Sequence, residues 1–215
     1  MNHDKNFLSQ ELIEQIQYAM DKCSGRAHLV AILEPDCELS AGVREFLEEF
    51  LEATDNVSIE IYDKDEDILL QSQIASPFYP VIAIMDESGG YSGASFNGIP
   101  LGNELESFVL AIYNVAGPGQ SVCSELLQKI KALRPMNLKI GVSLSCPMCS
   151  DVVKACQRIA VLNSEITAAM IDLQHYPDLR KKHNIMSVPA LIVDDKSILF
   201  GKKSLEEVVD YLAKN

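Results

Sequence analysis

Two landmarks recur at one spacing along this chain of 215 residues. A proline that opens an apolar segment occurs in Tyr79-Pro80-Val-Ile-Ala-Ile, and again in Val188-Pro189-Ala-Leu-Ile-Val, 109 positions later. Cys37 and Cys146 are separated by the same 109 positions. Because two independent landmarks share one offset, the sequence predicts an internal duplication in which both halves fold into the same kind of unit.

Apolar periodicity assigns the same order of elements, α-β-α-β-α-β-β-α, to both halves. The prediction for the first half is a helix within the first 22 residues, a strand at 27–33, a helix at 38–52, a strand at 57–62, a helix at 63–72, strands at 79–85 and 91–96, and a helix at 102–115. The prediction for the second half is a helix at 121–133, a strand at 140–144, a helix, a strand at 166–172, a helix at 178–183, strands at 190–193 and 198–200, and a helix at 204–213.

Strands that alternate with helices indicate a mixed sheet covered on both faces, and the two closing strands of each half indicate an antiparallel pair. This order resembles the thioredoxin-like plan. The expected class is α/β, with tandem thioredoxin-like folds, each a mixed four-stranded sheet flanked by helices. Ala116-Gly-Pro-Gly-Gln120 separates a first repeat at 1–116 from a second at 117–215. Because this link is short, we expect the halves to pack as one rigid body.

Composition and charge narrow the possible partners and the compartment. With 47 % hydrophobic and 23 % charged residues, the chain is typical of folded globular proteins. It has no apolar run approaching 18 residues and begins without the basic-then-apolar plan of a secretory signal, so we expect a cytoplasmic protein that does not enter a membrane. The net charge of -13 disfavours nucleic acid and anionic membranes as partners.

The segment Cys146-Pro-Met-Cys149 carries the chemistry that the sequence predicts. It follows the β-branched run from Ile140 to Leu144, and apolar residues recur at helical spacing after it. A cysteine at a helix start faces unpaired N–H groups and the positive end of the helix dipole, which favour its thiolate. We therefore predict a redox dithiol in which Cys146 is the nucleophile and Cys149 is the resolving thiol.

Three other interpretations of the two cysteines stay open at this stage. A structural zinc site needs four ligands, but no second Cys-x-x-Cys and no His-x-x-x-His occurs, so no metal ligand is assigned. A permanent disulfide requires an oxidising compartment, which nothing in the sequence indicates. Two coincidental core cysteines would not require the strand, turn and helix that surround this pair.

The dithiol and a later proline together resemble the active site of thioredoxins and glutaredoxins. Val188-Pro189 begins a strand 40 positions after Cys149. The resemblance implies that Pro189 is cis and packs beside the dithiol, although a proline at a strand start is also ordinary. It also implies substrate contacts for four residues near the dithiol, namely Ser145, Pro147, Met148 and Val188.

A closer resemblance is carried by four segments, which are Ser143-Leu-Ser-Cys-Pro-Met-Cys-Ser-Asp-Val-Val, Ala160-Val-Leu-Asn163, Met186-Ser-Val-Pro-Ala and Ile99-Pro-Leu-Gly-Asn-Glu104. They resemble the N-terminal domain of the flavoprotein component of bacterial alkyl hydroperoxide reductase, a pair of fused thioredoxin folds. The resemblance covers nearly the whole chain. It implies that electrons pass from a thioredoxin-reductase-like flavoprotein, which uses NADH or NADPH, to a peroxiredoxin.

The chain departs from that family in one respect. Family members continue into FAD and pyridine-nucleotide domains, whereas no Gly-x-Gly-x-x-Gly occurs here. We therefore expect no bound cofactor other than the redox-active disulfide itself, and a reductase that is a separate protein.

Two residues of the first repeat bear on the mechanism. Thioredoxins carry a buried Asp six positions before the first cysteine, where this chain has Ile140. The resemblance suggests Glu104 as the substitute proton relay, and stabilisation of a helix N-terminus is the alternative. Cys37 has Ser40 where a resolving cysteine would stand, so it cannot resolve a mixed disulfide from its own motif. We expect an inactive first repeat, with a monothiol glutaredoxin-like site as the alternative.

The function expected from these observations is a dithiol–disulfide oxidoreductase that relays electrons to a peroxiredoxin through reversible formation of a Cys146–Cys149 disulfide. A general protein disulfide reductase and a glutathione-dependent glutaredoxin are alternatives with the same chemistry. A non-catalytic module whose dithiol holds a metal is an alternative of a different class.

Overall fold

The computed structural model describes residues 7–76 and 78–215. Its first half contains α1 (Gln10–Met20), β1 (Ala27–Leu33), α2 (Glu38–Glu52), β2 (Val57–Asp63), α3 (Ile68–Ile74), β3 (Val81–Met85), β4 (Tyr91–Asn97) and α4 (Glu104–Ala116). Its second half contains α5 (Ser124–Lys131), β5 (Met136–Val142), α6 (Cys149–Leu162), β6 (Ile166–Asp172), α7 (Pro177–Lys182), β7 (Ala190–Val193), β8 (Ser197–Phe200) and α8 (Leu205–Leu212).

Both halves have the same strand order and the same directions. The first four strands lie in the order β2-β1-β3-β4, and the last four lie in the order β6-β5-β7-β8. In each half the first two strands are parallel, while the third pairs antiparallel with the first and with the fourth. Each half therefore has the mixed four-stranded sheet that the sequence predicts.

The two sheets are not separate, which the sequence analysis did not predict. Strand β4 of the first repeat pairs in parallel with β6 of the second, from Ala94 opposite Ala168 to Asn97 opposite Ile171. This seam, the β4–β6 pairing, joins all eight strands into one sheet. The edge strands are consequently β2 and β8.

The main core lies on one face of this sheet and is shared by both repeats. It combines apolar residues of α1, α2, α4, α5, α6 and α8, and α4 packs directly against α6. Phe108 of α4 lies at its centre, with ring centroids 5.1 Å from Phe50 and 5.2 Å from Phe96. On the opposite face, α3 and α7 each cover a smaller apolar cluster. The shared core and the seam are contacts expected of halves that behave as one body.

Several predicted boundaries are wrong. The third helix was predicted at 63–72 but lies at Ile68–Ile74, because Asp67 accepts the Leu70 N–H at 3.0 Å and caps a later start. The strand predicted at 140–144 runs over Met136–Val142, because its first half alternates apolar and polar residues and its last predicted residue, Leu144, belongs to a turn. Of the first predicted helix, residues 1–6 lie outside the described residues.

Within residues 7–76 and 78–215, no helix has the length and the apolar character that crossing a membrane requires.

The seam can be tested with two glycines that both have a positive φ. Gly93 in β4 has a φ of +85°, and an added Cβ would lie 2.5 Å from the carbonyl oxygen of Ile166 in β6. Gly89 has a φ of +82° and open space around it. Both alanine substitutions strain the backbone, but only Gly93→Ala also pushes the two repeats apart.

We expect Gly93→Ala to lower the free energy of unfolding by about 1–3 kcal/mol more than Gly89→Ala. Urea unfolding followed by circular dichroism measures the difference. Equal losses in the two variants would contradict a tightly packed seam.

Candidate active site

The dithiol lies in a turn between β5 and α6. The Cys146 N–H donates to the Ser143 carbonyl at 2.9 Å, and the Cys149 N–H donates to the Cys146 carbonyl at 3.3 Å. Helix α6 begins at Cys149, so the two cysteines lie where the helix starts, as the sequence predicts, with Cys146 just before its first residue. Cys146 is half-buried, whereas Cys149 is fully buried. Only the first sulfur is open to another protein.

The predicted proline lies beside the dithiol. The Val188–Pro189 peptide bond is cis, and Pro189 is buried directly before β7. The Cys146 Sγ donates a hydrogen bond to the Val188 carbonyl at 3.9 Å. The two segments, 42 positions apart in sequence, therefore meet at the Cys146 sulfur.

The four residues predicted to contact a substrate surround Cys146 at the surface. Ser145, Pro147 and Met148 are exposed, and Val188 is half-buried. The sequence analysis missed Met186, which is 87 % exposed and lies two positions before Val188. Its position in the sequence could have indicated this, because an apolar residue so close to the predicted cis-proline must lie on the same loop. Together these side chains give the surroundings of Cys146 an apolar character.

The environment of Cys149 keeps its thiol protonated. Burial raises the pKa of Cys149, and the hydrogen bond to Cys146 and the negative charge of Glu104 raise it further. A hydrogen bond with the Ser143 backbone acts in the opposite direction. All six cysteines are present as thiols in this structure. Cys149 consequently needs a base before it can attack as a thiolate.

Glu104 is a buried acid that the first repeat brings to this dithiol. It begins α4 and is 0 % exposed. One carboxylate oxygen accepts the Ser107 hydroxyl at 2.8 Å, and the other, Oε1, has no hydrogen-bond partner among the described residues. Burial raises the pKa of Glu104 to about 7; the negative charge of Asp172 adds to this rise, while Ser107 and Lys154 oppose it. A carboxyl group with a pKa near neutrality can both accept and return a proton.

A loop contact between the repeats fixes the position of Glu104. The side chain of Asn103 donates to the Leu144 carbonyl at 3.0 Å, and the Asn103 backbone N–H donates to the same oxygen at 3.2 Å. A Cβ on Gly102, whose φ is +58°, would lie 2.7 Å from that oxygen, so only glycine allows this approach. Glu104 thus follows a loop that is anchored on the dithiol turn.

Asp172 is a second buried acid that the sequence analysis missed. It ends β6 opposite Val142 and is 2 % exposed. Its Oδ1 accepts the Gln174 N–H at 3.1 Å, and its Oδ2 lies 3.8 Å from the His175 ring. An acidic residue at the end of an otherwise apolar strand could have indicated this residue from the sequence. Its charge is one reason why the pKa of Glu104 is raised.

The corresponding position of the first repeat keeps the backbone plan but lacks the second sulfur. Cys37 precedes α2 and is half-buried, and the Tyr79–Pro80 bond is cis. Ser40 is buried and its Oγ accepts the Glu34 N–H at 3.0 Å, a bond that holds the preceding loop. Tyr176 of the second repeat donates its hydroxyl to the Pro80 carbonyl at 3.3 Å. The second repeat therefore covers part of the first repeat's site.

Within residues 7–76 and 78–215, no group of three or more His, Cys, Asp or Glu side chains is arranged to hold a metal ion.

The fold and the site define the class of the protein. The features of thioredoxin-like disulfide oxidoreductases are all present: two four-stranded mixed units with the same strand order, a cis-proline that opens the third strand of each, and a Cys-x-x-Cys at the start of a helix. The thioredoxin domain family matches residues 136–213. A protein disulfide oxidoreductase of Aeropyrum pernix has the same fold, with a TM-score of 0.86 over 95 % of this chain and 92 % of that one at 18 % identity.

Closer relatives identify the family. The structure of the alkylhydroperoxide reductase AhpF of Enterococcus faecalis matches with a TM-score of 0.93 and 34 % identity, covering 96 % of this chain and 99 % of that one. Its NTD_N/C domain, solved separately, matches with a TM-score of 0.93 and 35 % identity, covering 95 % and 99 %. The chain belongs to the family of AhpF N-terminal domains, as tandem thioredoxin-like folds.

The curated relatives are longer proteins. The alkyl hydroperoxide reductase AhpF of Staphylococcus epidermidis is 31 % identical over 206 residues, which are 95 % of this chain and 38 % of the relative. The chain therefore spans less than half the length of the curated relatives that it matches.

The raised pKa of Glu104 predicts a pH dependence of stability. Between the ordinary pKa of 4.5 and about 7, the folded chain keeps a proton on Glu104 that the unfolded chain releases. The contribution of Glu104 therefore falls as pH rises through this window, by on the order of 3 kcal/mol in total. We expect Glu104→Gln to remove that part of the fall.

Urea unfolding of both proteins at several pH values from 4.5 to 8 measures the difference between the two curves. Glu125→Gln, whose carboxylate is 82 % exposed, is the control and should parallel the unsubstituted chain. Parallel curves for Glu104→Gln would show that the carboxyl group is not buried as described.

Proposed function

We propose that this chain is a dithiol–disulfide electron carrier. In this proposal it relays electrons from a separate thioredoxin-reductase-like flavoprotein, which draws them from NADH or NADPH, to a peroxiredoxin that reduces alkyl hydroperoxides. The observation that carries the proposal is the difference between the two sulfurs. Cys146 is accessible beside Pro189, and Cys149 is buried, with a hydrogen bond to Cys146. The family of AhpF N-terminal domains supports the peroxide-reducing context.

The reaction proceeds through a mixed disulfide. The Cys146 thiolate attacks one sulfur of the peroxiredoxin disulfide, and the other peroxiredoxin sulfur leaves as a thiolate and takes a proton. Cys149 then loses its proton and attacks the Cys146 sulfur, which releases the second peroxiredoxin sulfur. The peroxiredoxin gains two electrons, and the chain is left with a Cys146–Cys149 disulfide. A dithiol of the flavoprotein reduces that disulfide by the same two steps in reverse.

Glu104 accepts the proton of Cys149 in this scheme. Its raised pKa and its charge interaction with Cys149 support this role, because a carboxyl group that titrates near neutrality can exchange a proton in both directions. The alternative role, stabilising the N-terminus of α4, uses the same position, so the two roles are compatible. Cys37 takes no part, because Ser40 has no sulfur with which to resolve a mixed disulfide.

The partner's cysteine segment lies on the surface around Cys146. We assign contacts with the partner to Ser145, Pro147, Met148 and Val188, which support docking through their exposure beside the sulfur. Burial of apolar side chains supplies the favourable energy, and Met148 adapts to different partners because its side chain is flexible.

The remaining assignments concern organisation and place in the cell. The first repeat is assigned to residues 1–116 and the second, catalytic repeat to 117–215. No bound cofactor is required, since the dithiol itself carries the electrons. The protein acts in the cytoplasm, where thiols stay reduced, and its net charge of -13 favours neither nucleic acid nor a membrane surface as a partner.

The dithiol assignment is tested by replacing each sulfur separately. Cys146→Ser should abolish disulfide reduction because no attacking thiolate remains. Cys149→Ser should instead accumulate a mixed disulfide between Cys146 and the peroxiredoxin, because resolution is blocked. Non-reducing electrophoresis and mass spectrometry identify the trapped partner.

Cys123→Ser is the control, because it removes an exposed cysteine that lies outside the site. Near-normal turnover by Cys146→Ser would contradict the assignment. Trapping only glutathione or unrelated proteins would replace the peroxiredoxin relay with a glutaredoxin or a general disulfide reductase.

The division of labour between the repeats is tested at two residues of the first one. We expect Cys37→Ser to leave electron transfer to the peroxiredoxin almost unchanged. Glu104→Gln should slow the transfer, by up to about 10²- to 10⁴-fold if proton transfer limits resolution. One steady-state assay with a saturating flavoprotein reductase compares the two variants, and the reverse ranking would show that Cys37 and not Glu104 acts in catalysis.

A further inference from the structure

A cavity lies between the two repeats, where α4 of the first repeat faces α6 of the second. Its volume is about 700 Å³, and it extends between α4, α6, the segment Gln120–Val122 and the residues that lead into α8. Four basic side chains line it, which are Lys154, Arg158, Lys202 and Lys203. Such a concentration of positive charge is unexpected in a chain with a net charge of -13.

Two of these four charges are balanced by carboxylates. Lys154 lies 3.0 Å from Glu106 and 3.2 Å from Asp151, and Lys202 lies 2.6 Å from Asp151. Glu207, which also lines the cavity, accepts the Ser204 N–H at 2.8 Å in the capping box of α8. Glu106 and Asp151 are therefore engaged in ion pairs, whereas Glu207 caps α8 and keeps its own negative charge.

The other two charges are not balanced. Lys203 donates to the carbonyl oxygen of Lys202 at 3.1 Å, and Arg158 donates through Nη2 to the carbonyl oxygen of Gln120. Among the residues that the structure describes, neither forms an ion pair with a carboxylate. These carbonyl contacts satisfy one donor of each side chain but place no carboxylate directly against either positive charge.

Of these two side chains, Arg158 has the greater need for a counter-charge, because it is only 8 % exposed. Its Nε has no hydrogen-bond partner in the described part of the chain. Gly119 packs so closely that an added Cβ would lie 2.7 Å from Nη1. A buried guanidinium is normally paired with an anion, since its removal from water is otherwise strongly unfavourable.

We propose that this cavity binds the oxyanion group of a small molecule, either a phosphate or a carboxylate, between Arg158 and Lys203. A planar guanidinium binds both groups through paired hydrogen bonds, and a lysine ammonium adds a point charge. The N-terminal turn of α8, an eight-residue helix that begins at Leu205 in the cavity lining, favours negative charge at the same place. This proposal does not depend on the redox function.

Isothermal titration calorimetry with inorganic phosphate, and separately with acetate, tests the proposal on the full chain in its reduced form. Sodium chloride at matched ionic strength controls for screening. We expect saturable binding of at least one oxyanion, with a dissociation constant that rises at least tenfold in Arg158→Gln and severalfold in Lys203→Gln. Comparing phosphate with acetate identifies the chemical group that the cavity takes.

Lys196→Gln is the matched control, because it removes the same charge from the exposed turn between β7 and β8, outside the cavity. Its affinity should equal that of the unsubstituted chain. Since Lys203 is partly exposed, its variant still decides the question if Arg158→Gln does not fold. Absence of saturable binding, unchanged affinity in Lys203→Gln, or an equal loss in Lys196→Gln would overturn the proposal.

Discussion

The parallel pairing of β4 with β6 is the interaction on which the rest of the structure depends. It converts two four-stranded sheets into one sheet and brings α4 of the first repeat against α6 of the second. The loop between β4 and α4 starts at this seam, so it reaches the dithiol turn, where Asn103 binds the Leu144 carbonyl. A backbone hydrogen-bond ladder thus determines where the first repeat can place a side chain in the second repeat's site.

Glu104 is the side chain that the first repeat places in the second repeat's site, and this position changes its acidity. An acid supplied from within the second repeat would lie at Ile140, which is apolar and fully buried here. The acid comes instead from across the seam, where it loses contact with water and its pKa rises to about 7. Cys149 is buried in the same region, and its pKa is raised for the same reason and also by the charge of Glu104. Burial therefore keeps the Cys149 thiol protonated and brings the pKa of Glu104 to about 7, so that Glu104 exists in both protonation states at neutral pH, and each group becomes charged most easily when the other is neutral.

Much of this arrangement could be predicted from local sequence. The duplication, the dithiol and the proline beside it can each be recognised from the spacing of residues in the sequence. Glu104 was predicted from a family resemblance. The seam could not be predicted, because both of its strands read as ordinary strands and nothing local specifies which edges meet. The boundary of β5 was missed since polar residues such as Asn137 and Lys139 interrupt its apolar pattern. Arg158 carried no signal, since its burial depends on Gly119 and Gln120, which lie 38 or more positions away.

The β4–β6 pairing joins two different kinds of sheet edge. The kinds of edge that remain free determine how two copies of the chain could pair. By the duplication, β8 corresponds to β4 and β2 corresponds to β6, so the two free edges are of the kinds that pair inside the chain. A second copy could in principle continue the sheet by pairing its β2 with β8. However, β8 has four residues where β4 has seven, and it lies between Asp194-Asp195-Lys196 on one side and Lys202-Lys203 on the other. A short edge strand flanked by charges is a poor template for pairing, so the same mode of contact that unites the repeats is disfavoured between copies.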